Sequence, residues 1–148
     1  MWQWLLRGAD AARHRARRKL WTADQTTGRR GEDLAHRFLQ RQGMTVVARN
    51  HRPPSGNGEI DLIAWDGDTL VFVEVKTRRS DEAGVPGRNV DRDKETALVS
   101  AGRHYARQAG IPWERVRFDL VSVVLAERPA LAHRKDAIRA PGGYNSRS

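Results

Sequence analysis

Glu74 and Lys76 stand two residues apart near the middle of the chain, in Phe72-Val73-Glu74-Val75-Lys76-Thr77, and Asp61 lies upstream in Gly58-Glu59-Ile60-Asp61-Leu62-Ile63. Both runs are rich in β-formers, and the Asp66-Gly67-Asp68 between them is a short hairpin signal. Alternation along the second run puts Leu70, Phe72, Glu74 and Lys76 on one strand face and Val71, Val73, Val75 and Thr77 on the other. One face is wholly apolar. The other starts apolar and ends in a carboxylate and an ammonium, charges that are costly to bury unless each finds a partner or a metal. In the first run Glu59, Asp61, Ile63 and Trp65 share a face, which makes Asp61 the candidate neighbour of that charged end.

An acidic residue on one strand, a hairpin, then Glu-x-Lys on the next resembles the metal site of the PD-(D/E)xK nuclease superfamily. The wider pattern is Gly31-Glu32 opening a helix, Gly58 to Ile63, Phe72 to Arg78, Lys94-Glu95 on a later helix and Arg117-Phe118-Asp119 on a late strand. Together these resemble the YraN-type family of endonuclease-like proteins, over roughly residues 28–125. The resemblance implies an α/β, restriction-endonuclease-like fold: a mixed β-sheet flanked by α-helices, with a central β-hairpin carrying the site. It implies hydrolysis of phosphodiester bonds in DNA with Mg²⁺, for which Mn²⁺ substitutes because it shares the preference for oxygen ligands. In that scheme Asp61 and Glu74 are the metal ligands, with the carbonyl of Val75 a third, and Lys76 orients or helps deprotonate the attacking water. Glu32 and Glu59 take a second rank, binding a second ion or orienting a ligand. Arg52, Arg78, Arg79 and Lys94 are the candidate contacts to nucleic acid. The layout is also similar to Holliday-junction resolvases, which points to branched or recombining DNA and to a homodimer. A competing reading is a non-catalytic nucleic-acid-binding module that keeps the fold. Asp61, Glu74 and Lys76 together favour the enzyme, since a binding module has no need of two carboxylates that repel phosphate.

The elements that must position these residues follow from periodicity. Residues 29–42 read as a helix whose buried face is Gly31, Leu34, Ala35, Phe38 and Leu39, with Gly43 as its stop. Glu32 falls on the margin of that face, either as favourable charge at the helix start or directed into the site. A strand over 44–50 and a Pro- and Gly-containing loop over 51–57 lead into the hairpin. Residues 78–89 read as a basic loop beside the site. Asn89 or Asp91 can cap a helix to Ala109, on whose apolar stripe Lys94 either snorkels or meets a phosphate. A strand over 116–125, reached by a crossover, puts Arg117 and Asp119 on one face as an ion pair, and residues 133–140 read as a short helix.

At 148 residues the chain has the length of one domain. It contains no cysteine, so thiolate metal sites, disulfides and cysteine nucleophiles are excluded and any metal must be held by oxygen or imidazole. No apolar run approaches a membrane span, and the expected location is cytoplasmic. The net charge of +9 divides as +6 over residues 1–30, zero over 31–125 and +3 over 126–148. The expected organisation is therefore a basic extension over 1–27, disordered or helical, a nuclease-like domain over 28–125 and a basic segment over 126–148. The extension holds Trp2, Trp4, Trp21 and a basic run from Arg13 to Lys19. That composition suits a helix formed on nucleic acid or on an anionic membrane surface.

Overall fold

The computed structural model describes residues 23–80 and 92–143. Helix α1 (Ala23–Arg41) is followed by strands β1 (Thr45–His51), β2 (Ile60–Asp66) and β3 (Thr69–Arg79). Helix α2 (Arg92–Ala109), a single 3-10 turn (Trp113–Arg115), and strands β4 (Val116–Leu125) and β5 (Ala130–Arg134) complete the order. The strands form one open mixed sheet in the order β1-β2-β3-β4-β5. Pairing is antiparallel except between β3 and β4, which are parallel. A parallel neighbour needs a crossover, and α2 supplies it.

The hairpin closes at Gly67 and Asp68, with Asp66 paired to Thr69. Gly67 takes φ +58°, the left-handed value that a glycine adopts without steric cost at the first position of such a turn. This fixes the register Leu62↔Val73 and Ile63↔Phe72, which carried one residue further sets Asp61 against Glu74.

Each face of the sheet has its own core. Ala35 and Leu39 of α1 pack with Leu62, Ala64, Val71, Val73, Val121 and Val123. Leu98, Ala101 and Ala106 of α2 pack on the opposite face with Ile63, Leu70, Phe72, Val116 and Phe118. The charged end of β3 points to the α2 side, as the alternation requires. Two expectations are corrected. Residues 78 and 79 are not loop, because β3 continues in parallel register with β4 as far as Arg79↔Leu125. Residues 133–140 do not form a helix: Ala130–Arg134 pairs antiparallel with β4, and Ile138 then returns to the α2-side core.

Candidate active site

Two glycines let flanking elements close on the end of the hairpin. A Cβ on Gly31 would lie 2.7 Å from Thr77 Cβ, so only glycine allows α1 to approach β3 there, and the next residue, Glu32, is carried to the sheet's end. A Cβ on Gly58 would lie 2.8 Å from the Ala97 carbonyl oxygen, so this loop lies against α2 and the next residue is Glu59. Carboxylate oxygens of Glu32, Glu59 and Asp61 consequently converge, all within 4.8 Å of one another.

Glu74 completes the cluster from β3 and is only 6% exposed. Its Oε1 has Lys76 Nζ at 3.2 Å and Lys94 Nζ at 3.3 Å. Both ammoniums stand at ion-pair distance from the one buried oxygen. Asp61 accepts a 2.8 Å hydrogen bond at Oδ2 from the Val75 N–H. Burial drives the Asp61 carboxyl up to about 7; the Val75 N–H opposes this and the charges of Glu32, Glu74 and Glu59 add to it. Burial likewise raises Glu32 against the pull of Arg49 and Asn50. At Lys94 burial again disfavours the charge, but here the adjoining Glu74 carboxylate outweighs it and holds the ammonium above its ordinary range.

The remaining acids are tethered by arginines. Arg49 Nη2 lies 2.7 Å from Asp33 Oδ1 and 3.8 Å from Glu32 Oε2. Arg52 meets Glu59 Oε2 at 3.0 Å through Nε and Nη2. Arg52, Glu59, Asp61, Glu74 and Lys94 line one cleft of about 380 Å³, walled by Gly58 and Ala97. The structure thus brings together Asp61, Glu74, Lys76, Glu32, Glu59, Arg52 and Lys94. Arg78 and Arg79 lie further along β3 and do not line the cleft. The roles of Arg49, Gly31 and Gly58 were not read from the sequence, although the repeated Gly-Glu pair was a visible sign of the latter two.

A separate polar network joins the hairpin tip to β4 and β5 on the α1 side. Arg117 donates from Nε to Asp119 Oδ1 at 2.8 Å, and from Nη2 to Asp119 Oδ2 at 2.9 Å and Asp66 Oδ2 at 2.8 Å. His133 Nε2 lies 2.8 Å from Asp119 Oδ2, and the Asp136 N–H donates to Asp119 Oδ1 at 3.0 Å. The expected Arg117–Asp119 pair is present, and it is fully enclosed: Asp119 has no exposed surface.

An open mixed five-stranded sheet between two helices, with acids and lysines gathered where the hairpin strands end, defines an α/β protein consistent with a restriction-endonuclease-like fold. The chain belongs to the uncharacterised protein family UPF0102, which it matches over residues 31–123. It is 51% identical over 127 residues to a UPF0102 protein of Solibacter usitatus (strain Ellin6076), covering 86% of this chain and 92% of that one. A UPF0102 protein of Rhodococcus jostii (strain RHA1) is 45% identical over 112 residues, 74% of this chain and 93% of the relative. One of Dictyoglomus thermophilum (strain ATCC 35947 / DSM 3960 / H-6-12) is 38% identical over 100 residues, 68% and 83% respectively.

Proposed function

We propose that this protein is a Mg²⁺-dependent endonuclease hydrolysing phosphodiester bonds in DNA, branched or recombining DNA included. The observation that carries the reading is the gathering of acids at the hairpin's end: carboxylate oxygens of Glu32, Glu59 and Asp61 within 4.8 Å of one another, with the nearly buried Glu74 beside them on the neighbouring strand. Acids gathered this closely repel one another, and a divalent cation would relieve that repulsion. The donors are all carboxylate oxygens, with none of the thiolates that would select a softer metal. Asp61 and Glu74 would hold the ion, with the Val75 carbonyl beside them. Bound there, Mg²⁺ supplies the positive charge that draws in a phosphate and acidifies a water.

The chain's own residues do the rest. Lys76 shares the Glu74 oxygen and stands one pleat further along the same face, about 6–7 Å away along the backbone. From there it orients the attacking water and relays its proton. Lys94 and Arg52, on the opposing wall, meet the phosphates flanking the scissile bond. Arg49 and Arg52 hold Glu32 and Glu59 near the cluster, as second-rank ligands or orienting groups. Action on a four-way junction needs two such sites and hence a dimer, which sedimentation with junction DNA measures.

The test is a panel of single-stranded, duplex, flapped and four-way DNA incubated with Mg²⁺, Mn²⁺ or EDTA. Cleavage should require the cation, vanish in Asp61→Ala and Glu74→Ala, and fall at least roughly a hundredfold in Lys76→Met. DNA binding should survive in all three variants or tighten in the first two, which lose a charge that repels phosphate. Binding without cleavage under every cation would leave a nucleic-acid-binding module, and full activity in either acidic variant would displace the site.

A further inference from the structure

The acidic cleft uses one stripe of α2, carrying Lys94, Ala97 and Leu98. The opposite stripe of the same turns walls a second hollow of about 390 Å³. We infer that this hollow is a subsite for an unpaired nucleotide of the same DNA substrate; the inference rests on the nuclease reading above.

Its floor is apolar, formed by Val99, Ile138 and Pro141, and its rim carries Arg92, Arg139 and Glu95. The far wall is the stretch after β5, and it is held in place rather than draped. The N–H groups of Ala137 and Ile138 both donate to the Phe118 carbonyl, at 2.9 and 3.4 Å. The Pro141 carbonyl accepts from Trp113 Nε1 at 2.9 Å and from Arg103 Nη2 at 3.2 Å. Ile138 reaches the core below and is 8% exposed. The hollow is therefore pre-formed, which spares a ligand the cost of ordering it.

The volume is at the small end of ligand sites, which run from about 300 to 1,000 Å³. The chemistry narrows the occupant. Among the described residues neither the Arg92 nor the Arg139 guanidinium makes an ion pair or side-chain hydrogen bond, and both are exposed. Two exposed guanidinia without such a partner among the described residues suit a phosphate. A base offers a flat apolar face to the Val99, Ile138 and Pro141 floor, and its exocyclic amino group can donate to Glu95. A base paired and stacked in a duplex cannot reach such a floor, so the nucleotide must be unpaired. A helix is about 10–12 Å across, so a strand passing the start of α2 can enter the hollow and the cleft at once. The favoured substrate is thus DNA with an unpaired nucleotide close to the bond that is cut.

The test is a titration of the full chain, in EDTA to prevent cleavage, following the assigned methyl signals of Val99 and Ile138. The probes are a short single-stranded oligonucleotide, its blunt duplex and inorganic phosphate. Saturable shifts with the single strand, at least about tenfold weaker in the Arg92→Glu/Arg139→Glu variant and little changed in Arg134→Glu on β5, are expected. Equal shifts with the blunt duplex would overturn the unpaired nucleotide, and equal shifts with phosphate alone would reduce the hollow to an anion site. Still methyls, in a protein that binds the oligonucleotide by anisotropy and cuts DNA with Mg²⁺, would overturn the subsite and leave the nuclease reading standing. Absence of both oligonucleotide binding and cleavage would remove that reading and the subsite with it.

Discussion

Asp61 and Asp119 are both carboxylates set against the sheet, and their surroundings drive them in opposite directions. Asp61 has one N–H partner and three neighbouring carboxylates, and burial raises it from 3.8 to about 7. The folded protein then holds a proton that the unfolded chain has released, so without a cation stability falls as pH rises across that window. At 1.36 kcal/mol per pH unit the loss is at most about 4 kcal/mol, and less where water reaches the group. Asp61→Asn can still accept from Val75 and has nothing to ionise. In EDTA its urea midpoint should exceed that of the parent at pH 8 and match it at pH 4, while Mg²⁺ should raise the parent's midpoint alone. A variant no more stable than the parent at pH 8 would mean that Asp61 ionises freely in the folded protein. Asp119 is also opposed by burial, but His133, Arg117 and the Asp136 N–H outweigh it and hold the carboxyl below its ordinary 3.8. Its contribution is full above that value and is lost as pH falls through the lowered one. Asp119→Ala removes a bidentate partner from the Arg117 guanidinium, which is 4% exposed, and leaves its contact with Asp66. It should cost about 3–5 kcal/mol in urea denaturation, and its stability should decline less steeply than the parent's below pH 4.

At the level of elements, what could be read in the sequence was what neighbouring residues determine. The Gly67 turn sets the hairpin register, and that register alone opposes Asp61 to Glu74. The heptad-like spacing of Leu34, Ala35, Phe38 and Leu39 marks α1's buried face in the same way. What escaped depends on distant partners. Arg78 and Arg79 are strand because Val124 and Leu125 pair with them from across α2. Ala130–Arg134 lacks β-branched residues and becomes a strand because β4 is already there to pair with. Gly31 is needed because Thr77 occupies the space its side chain would take; its place on the buried face was visible locally, but the partner it makes room for was not. This gives a paired test within one helix. Gly28 has nothing within 4 Å of an added Cβ, so Gly28→Ala should stabilise the protein by up to about 1 kcal/mol through helix propensity. Gly31→Ala gains the same propensity and should nevertheless destabilise by about 1–3 kcal/mol, because α1 must lift from β3. Mn²⁺ affinity measured by calorimetry should fall with it, since Glu32 moves with the helix. Equal stability changes in the two variants would show that the approach of α1 to β3 is loose.

For the whole molecule, charge is distributed against its total. Residues 31–125, which hold the acidic cleft, are formally neutral, so the cleft's own carboxylates offset the cations around it. The excess lies outside, and residues 1–22 alone carry six basic residues against one acidic, +5 of the net +9. The expected role of that stretch, attachment to nucleic acid, falls outside the described residues and stands as a proposal. Among the described residues α1 begins at Ala23, so a cut before it, rather than within residues 23–27, leaves every described element of the sheet and the described lining of both clefts in place. A chain starting at residue 23 should therefore keep its urea midpoint and its Mn²⁺ affinity while binding DNA less tightly. The difference should be electrostatic and independent of sequence. Each duplex phosphate neutralised releases condensed counterions and adds about 0.9 to the slope of log affinity against log salt. If the six cations engage phosphate, truncation should flatten that slope by up to about 5, and by no more than about 2 if fewer than half do. Anisotropy titrations of parent and truncated protein between about 50 and 200 mM salt, on two duplexes of unrelated sequence, measure this directly. An unchanged slope would place the phosphate contacts on the cations of the folded domain, Lys94, Arg52, Arg92 and Arg139 foremost.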